Sequence, residues 1–308
     1  MNIISSIYKR AILIILLQLT VLSCQRHDRQ LVQTQHENIT TADSPVSEKH
    51  DSLSYGTKTQ EFRNLLDESF SIEQHSYFVI ASNLEAKETD RIIQKTIQPA
   101  VECFYNDFLK KKPDDITTIL LFKNDSTYRY WAKKLYGDDD LSRFGYFKPD
   151  AKVMLMNIST GTGTLVHEMT HALVSYDFPE IPAWFNEGLG SLYERCSLSN
   201  GIILGYVNWR LPDLQDAIGN NTYTSLESLF KLNDEQFYGD KSGFNYAQAR
   251  YFCMFLQEKN MLKKFYRTFR DNFSEDQTGR KFVVSVLGQN MKETEKEFIK
   301  WASSLSEH

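Results

Sequence analysis

The chain has 308 residues, of which 41% are hydrophobic and 13% aromatic, so it can bury one sizeable core or two modest ones and is expected to form one or two domains. It carries 40 acidic and 35 basic residues, which gives a formal net charge of −5. This acidic balance excludes nucleic acid as an expected partner, because it does not attract a polyanion.

The first 24 residues have the layout of a secretory signal. A basic pair, Lys9 and Arg10, precedes an apolar run at residues 11–22 that is too short to span a bilayer as a helix. The Val-Leu-Ser-Cys sequence that ends at Cys24 resembles the lipobox of bacterial lipoproteins, in which the cysteine is lipidated and becomes the first residue. We therefore expect export to the cell envelope and a lipid anchor in a bacterial membrane through Cys24. Ordinary signal cleavage nearby is the alternative.

A polar segment follows at residues 25–60. It has few apolar residues and no sustained period, so we expect a flexible tether between the anchor and a folded domain. No spacing indicates a metal ligand among the histidines of this segment or just beyond it, and all are expected to be solvated: His27, His36, His50 and His75.

Residues 61–160 alternate between strand and helix signals and are expected to form the α/β part of a folded domain. The predicted order is strand, helix, strand, helix, strand, at residues 76–82, 85–111, 115–122, 125–137 and 152–159. Pro99 is expected to bend or split the first helix, and Gly137 to stop the second. A connecting stretch, GYFKPD, leads into the last strand, which could form the edge or floor of a cleft.

The next segment carries two histidines on a predicted helix. Thr164 can serve as an N-cap, and the chain then has no Gly or Pro until Pro179. At about 100° per residue, His167 and His171 lie on one face, one turn apart, where two imidazoles can reach a single ion. Glu168 follows the first histidine and would stand beside that ion, where a carboxylate can deprotonate a water. A hydrogen-bonded histidine pair on a helix face is the alternative interpretation.

A hydrolytic zinc site needs a third protein ligand and one open position for water. Pro182 suits the first turn of a second helix, predicted to run to about Arg195 and to lie antiparallel to the first. Glu187, one to two turns into that helix, can then face the histidines. The competing acids are less suited, because two lie in the connecting loop and one is two turns further along: Asp177, Glu180 and Glu194. One Zn²⁺ per chain is expected.

With this third acid, the pattern of HEMTH followed by AWFNEGLGSLYE resembles the gluzincin metallopeptidases, and most closely the bacterial families described as peptidase MA-like. The resemblance covers roughly residues 75–305, although its specific motifs lie in the middle of that range. It implies that His167, His171 and Glu187 bind the metal and that Glu168 acts as general base. It also implies a zincin-like fold for residues 161–308.

Two departures from the family pattern concern the surroundings of the metal. Thermolysin-like members carry an acidic residue four positions after the glutamate ligand, where this chain has Ser191, so another group must orient a histidine. The aminopeptidase branch has a Gly-x-Met-Glu-Asn strand that grips a free amino terminus, and VMLMNIS has no such glutamate. Exopeptidase action is therefore not implied.

Gluzincins often use a downstream Tyr or His to stabilise the oxyanion, and Tyr246 stands where the resembling families carry a tyrosine. A packing role for Tyr246 is an equally open alternative. Four neighbouring residues are expected to form a core face: Tyr251, Phe252, Phe255 and Leu256.

Three cysteines without CxxC spacing are expected to be small buried hydrophobes, with any disulfide pairing left open: Cys103, Cys196 and Cys253.

The predicted fold class is α+β, in which a small mixed β-sheet with helices at residues 61–160 precedes a mainly helical, zinc-binding part at residues 161–308. Both parts are expected to form one compact unit. The predicted function is that of a zinc-dependent metallopeptidase at the cell envelope, acting on peptide or protein substrates. The alternative is a non-catalytic, metallopeptidase-like lipoprotein that binds peptides or surface partners.

Overall fold

The computed structural model of the protein describes residues 52–306. The predicted signal with Cys24 and most of the predicted tether, with its three histidines, lie outside this range. Within it, no helix is both long and apolar enough to cross a membrane.

The described chain begins with helix α1 (Ser52–Leu65), which includes residues assigned to the flexible tether from the sequence. The prediction of a tether up to residue 60 is therefore wrong in its last part. Tyr55 packs against Val79 and Ile116 of the domain, and Phe62 is buried in a second apolar cluster. Burial of these two aromatic rings stabilises a helix whose polar composition gave no local signal.

A five-stranded mixed sheet has the order β1-β2-β3-β5-β4. Its strands are β1 (Ser71–His75), β2 (Phe78–Ser82), β3 (Thr117–Phe122), β4 (Gly145–Lys148) and β5 (Val153–Asn157). The three inner strands run parallel, whereas β1 and β4 pair antiparallel at the two edges. The stretch read as a connection therefore supplies edge strand β4, and β5 lies one strand in from that edge.

The helix that contains Pro99 is split, as predicted. It consists of α2 (Ala86–Ile92), a π-helical turn (Ile93–Ile97) and α3 (Gln98–Asp107). Proline has no N–H to donate to the preceding turn and its ring crowds the carbonyl there, which is why the hydrogen-bond pattern changes just before it. Helix α4 (Asp125–Tyr136) ends where predicted, with Gly137 in the left-handed conformation.

Two helices follow the sheet and carry the motif. Helix α5 (Gly163–Asp177) begins one residue before the predicted cap, with Thr162 at the N-cap position in place of Thr164. Helix α6 (Ala183–Tyr193) begins after Pro182. A hairpin of β6 (Cys196–Ser199) and β7 (Ile202–Gly205) then interrupts the region predicted as mostly helical.

The remaining elements are helical. They are α7 (Leu211–Gly219), α8 (Leu226–Phe230), α9 (Asp234–Phe237), α10 (Ser242–Glu258), α11 (Leu262–Asp271), α12 (Arg280–Leu287) and α13 (Met291–Ser304). Helices α6 and α10 pack closely at Gly188, where a Cβ atom would lie 2.8 Å from the Cys253 sulfur and 2.9 Å from the Ala249 carbonyl oxygen. The predicted core face of α10 is confirmed as fully buried.

One apolar cluster runs from the sheet residues Phe78 and Ile119 to Trp184 of α6 and Phe298 of α13. All described residues belong to one compact unit. A small mixed sheet followed by a mainly helical part is the α+β class predicted from the sequence, and the fold class is confirmed.

Candidate metal centre

Three predicted ligands meet at one point between α5 and α6. One ligand atom each from His167, His171 and Glu187 lies within 4.8 Å of the other two. The two imidazole rings are 4.7 Å apart and nearly perpendicular, as expected for side chains one turn apart on one helix face. His167 and Glu187 are buried, and His171 is partly exposed.

The distances within this group fit a tetrahedral metal ion. Glu187 Oε2 lies 3.3 Å from His167 Nε2 and 3.4 Å from His171 Nε2. Zinc bonds of about 2.0–2.1 Å at tetrahedral angles separate neighbouring ligand atoms by about 3.3–3.4 Å. Among the described residues, buried Glu187 Oε2 has no hydrogen-bond partner, although both ring nitrogens face it. A buried carboxylate oxygen without a hydrogen bond in this position favours a metal site over the alternative interpretation, a hydrogen-bonded histidine pair.

The other nitrogen of each imidazole faces an oxygen acceptor. His171 Nδ1 lies 2.9 Å from Asn186 Oδ1, and His167 Nδ1 lies 3.2 Å from Glu194 Oε1. His167 Nδ1 and Glu194 Oε1 are close enough for an ion pair, but they are not aligned for a hydrogen bond. Acceptors at both Nδ1 atoms favour the tautomer in which each Nε2 lone pair is free for a metal.

Glu194 is therefore placed to orient His167, which Ser191 cannot do as the acidic residue of the family pattern would. Its carboxylate is fixed by Arg210 Nη2, at 3.1 Å from Oε1, and by Asn208 Nδ2, at 3.3 Å from Oε2. From the sequence, Glu194 is expected only as a competing metal ligand. Its spacing of seven residues from Glu187, two turns along the same helix face, was the available signal.

The electrostatics of the site favour a positive charge. Burial lowers the pKa of His167, but the contacts with the carboxylates of Glu187 and Glu194 outweigh it and raise that pKa to about 10. Burial raises the pKa of Glu194, but His167 and Arg210 bring it down to about 2. The pKa of Glu187 is held well below its usual range by both histidines against the opposing effect of burial. These two carboxylates and nearby Glu168 surround the imidazoles with negative charge, which suits a divalent cation bound by His167, His171 and Glu187.

Glu168 is partly exposed beside the three ligand residues. Its carboxylate makes no hydrogen bond or ion pair with any other residue in the described range, so it is available to a small molecule at the site. This is the placement that the sequence predicts for a general base.

Two tyrosines, whose ring centres are 6.3 Å apart, lie near Glu187. Tyr246 lies in the first turns of α10 with the Arg210 guanidinium 5.3 Å from its ring centre, and burial followed by the charge of Glu187 raises its pKa. Tyr238 donates its hydroxyl to Glu187 Oε1 at 2.7 Å. Tyr238 is not predicted from the sequence, because nothing in the local sequence distinguishes it from the chain's other tyrosines.

The cysteines and His75 are not part of the metal centre. The three cysteines in the described range are free; Cys103 and Cys253 are buried and Cys196 is partly exposed. The expectation of a solvated His75 is wrong, since its ring is partly buried and lies 3.3 Å from the Gln98 side chain and 3.4 Å from Glu73.

No protein-family model matches this chain, and no curated protein matches its sequence. The observations that bear on function are therefore the motif itself and the geometry of His167, His171, Glu187 and their neighbours.

Proposed function

We propose that this protein is a zinc-dependent metallopeptidase of the gluzincin type. The observation that carries the proposal is the convergence of His167, His171 and Glu187 at tetrahedral spacing, with Glu168 unpaired beside them. A zinc ion held by these residues would act as a Lewis acid and lower the pKa of its water to about 7.

The chain's own residues would divide the remaining work. Glu168 accepts a proton from the attacking water and delivers it to the leaving amine. Asn186 and Glu194 hold the two imidazoles in the metal-binding tautomer. Tyr246 is the proposed donor to the developing oxyanion, because its hydroxyl belongs to the same cluster as Glu187.

The proposed substrates are peptides or proteins. Given the signal-like first 24 residues, we further propose that the enzyme acts at the cell envelope and is anchored through Cys24.

Zinc content and hydrolysis test this function separately. The purified protein, Glu168→Gln and Glu187→Ala would be assayed by elemental analysis and with a mixed peptide library. The proposal expects about one zinc per chain, retained in Glu168→Gln and lost in Glu187→Ala, with cleavage abolished in both variants. Stoichiometric zinc without cleavage by the parent protein would favour the non-catalytic binding function, and absence of zinc from the parent would overturn the metal site.

A further inference from the structure

The two oxygens of Glu187 have different surroundings. Oε1 accepts a hydrogen bond from the Tyr238 hydroxyl at 2.7 Å. Oε2 accepts none within the described range and faces both histidine Nε2 atoms. One oxygen is therefore engaged by the protein, and the other is left for a cation.

Tyr238 is held in this position although its side chain is half exposed. It follows α9, a four-residue helix whose N-terminus is closed by a capping box between Asn233 and Gln236. The preceding Phe237 is fully buried, and its carbonyl oxygen accepts a hydrogen bond from Asn245 Nδ2 at 2.9 Å. These contacts fix the backbone that leads into the tyrosine and so help to direct its hydroxyl at Glu187.

The hydrogen bond affects how many oxygens Glu187 can give to a metal. A carboxylate can bind through one or both of its oxygens, and binding through both would add a fourth protein donor atom to the site. A hydrolytic zinc centre needs three protein ligands and one open position. A hydroxyl that donates to Oε1 stabilises the one-oxygen mode, because binding through both oxygens would weaken or break that hydrogen bond.

We propose that Tyr238 is a positioning residue that restricts Glu187 to a single metal-binding oxygen and thereby keeps one coordination position open. The inference rests on the proposed function, since it assumes the metal site formed by His167, His171 and Glu187. It gives Tyr238 a role distinct from that of Tyr246, which is proposed to contact the reacting oxygen.

Cobalt substitution tests this role without any substrate. The full-length protein, Tyr238→Phe and the control Tyr130→Phe would each be loaded with Co²⁺, and their visible absorption compared at equal metal occupancy. Four-coordinate Co²⁺ absorbs several-fold more strongly than five-coordinate Co²⁺, so we expect a several-fold loss of intensity in Tyr238→Phe alone. Tyr130 is exposed on α4 and makes no contact with the site, so its substitution controls for the loss of a hydroxyl.

The outcomes separate this inference from the function beneath it. Identical Co²⁺ spectra in the parent protein and Tyr238→Phe, with both fully loaded, would overturn the role of Tyr238 and leave the metallopeptidase proposal intact. Failure of the parent protein to take up Co²⁺ or Zn²⁺ would overturn both. Phenylalanine keeps the ring of this half-exposed residue, and an unchanged circular dichroism spectrum would show that Tyr238→Phe is folded.

Discussion

Glu194 lies on the opposite side of His167 from the candidate metal position, and Arg210 and Asn208 hold its carboxylate. A negative group at Nδ1 raises the basicity of the imidazole and fixes its orientation. We expect Glu194→Gln to weaken zinc binding by about 10–100-fold, since an amide keeps the shape but removes the charge. Competition with a chromophoric chelator would measure this. Glu180→Gln, an exposed substitution in the α5–α6 connection, is the matched control, and equal affinities in the two variants would contradict the role.

Gly190 of α6 sits against the same imidazole. A Cβ at this position would be 3.0 Å from His167 Nε2 and 3.1 Å from two ring carbons, so the ring would have to shift by a few tenths of an ångström. We expect Gly190→Ala to fold but to bind zinc more weakly, because the displaced Nε2 no longer meets the other ligands. Gly243→Ala in α10, where a Cβ would meet nothing within 4 Å, should bind zinc like the parent protein in the same titration. Parent-like binding by Gly190→Ala would show that the imidazole adapts.

At the scale of elements, the C-terminus of the histidine helix α5 is fixed by a buried polar network. Asp177 Oδ1 accepts hydrogen bonds from the backbone N–H groups of Lys110 and Lys111, each at 2.8 Å. Its Oδ2 accepts from the Tyr266 hydroxyl at 3.0 Å and from the guanidinium of Arg270. The network joins α5 to the end of α3 and to α11, and thereby holds the helix that carries the motif.

We expect Asp177→Asn to lower the free energy of unfolding by about 1–3 kcal/mol, because it removes the buried negative charge beside Arg270 and leaves only the more exposed Asp271 to pair with that guanidinium. Burial raises the pKa of Asp177, but the backbone donors and Arg270 outweigh it and hold that pKa below its usual value. The carboxylate therefore stabilises the fold above the unfolded pKa of about 4, and this contribution is lost as the pH falls through the lower folded pKa. Urea unfolding across this range should show a steeper acid loss in the parent protein than in Asp177→Asn. Parallel curves would refute the assignment.

How far the sequence predicts these elements depends on where their stabilisation comes from. Helix α4 and its stop at Gly137 follow from local signals, as does the split at Pro99. Edge strand β4 and the β6–β7 hairpin have only four residues per strand, and tertiary pairing decides such short segments. The proximity of His167 and Glu187 is predicted from the motif spacing, because two neighbouring helices carry them. Tyr238 lies 51 residues after Glu187, and tertiary folding alone brings its hydroxyl to that carboxylate.

For the whole molecule, the candidate metal site joins two helices that unfolding must separate. His167 and His171 come from α5 and Glu187 from α6, and both helices belong to the apolar cluster that reaches the sheet. A ligand that binds only the folded state stabilises it by mass action, so a bound ion contributes to the stability of the entire domain.

Chelation should therefore lower the melting temperature. Free zinc at 100 times its dissociation constant stabilises the fold by about 2.7 kcal/mol, which for a domain of this size raises the melting temperature by about 5–10 °C. We expect EDTA to remove this increment from the parent protein and from Glu168→Gln, because Glu168 is not a proposed ligand. Glu187→Ala should melt at the same temperature with and without zinc. Differential scanning fluorimetry measures all three proteins, and an equal zinc-dependent shift in Glu187→Ala would mean that the stabilising ion binds elsewhere.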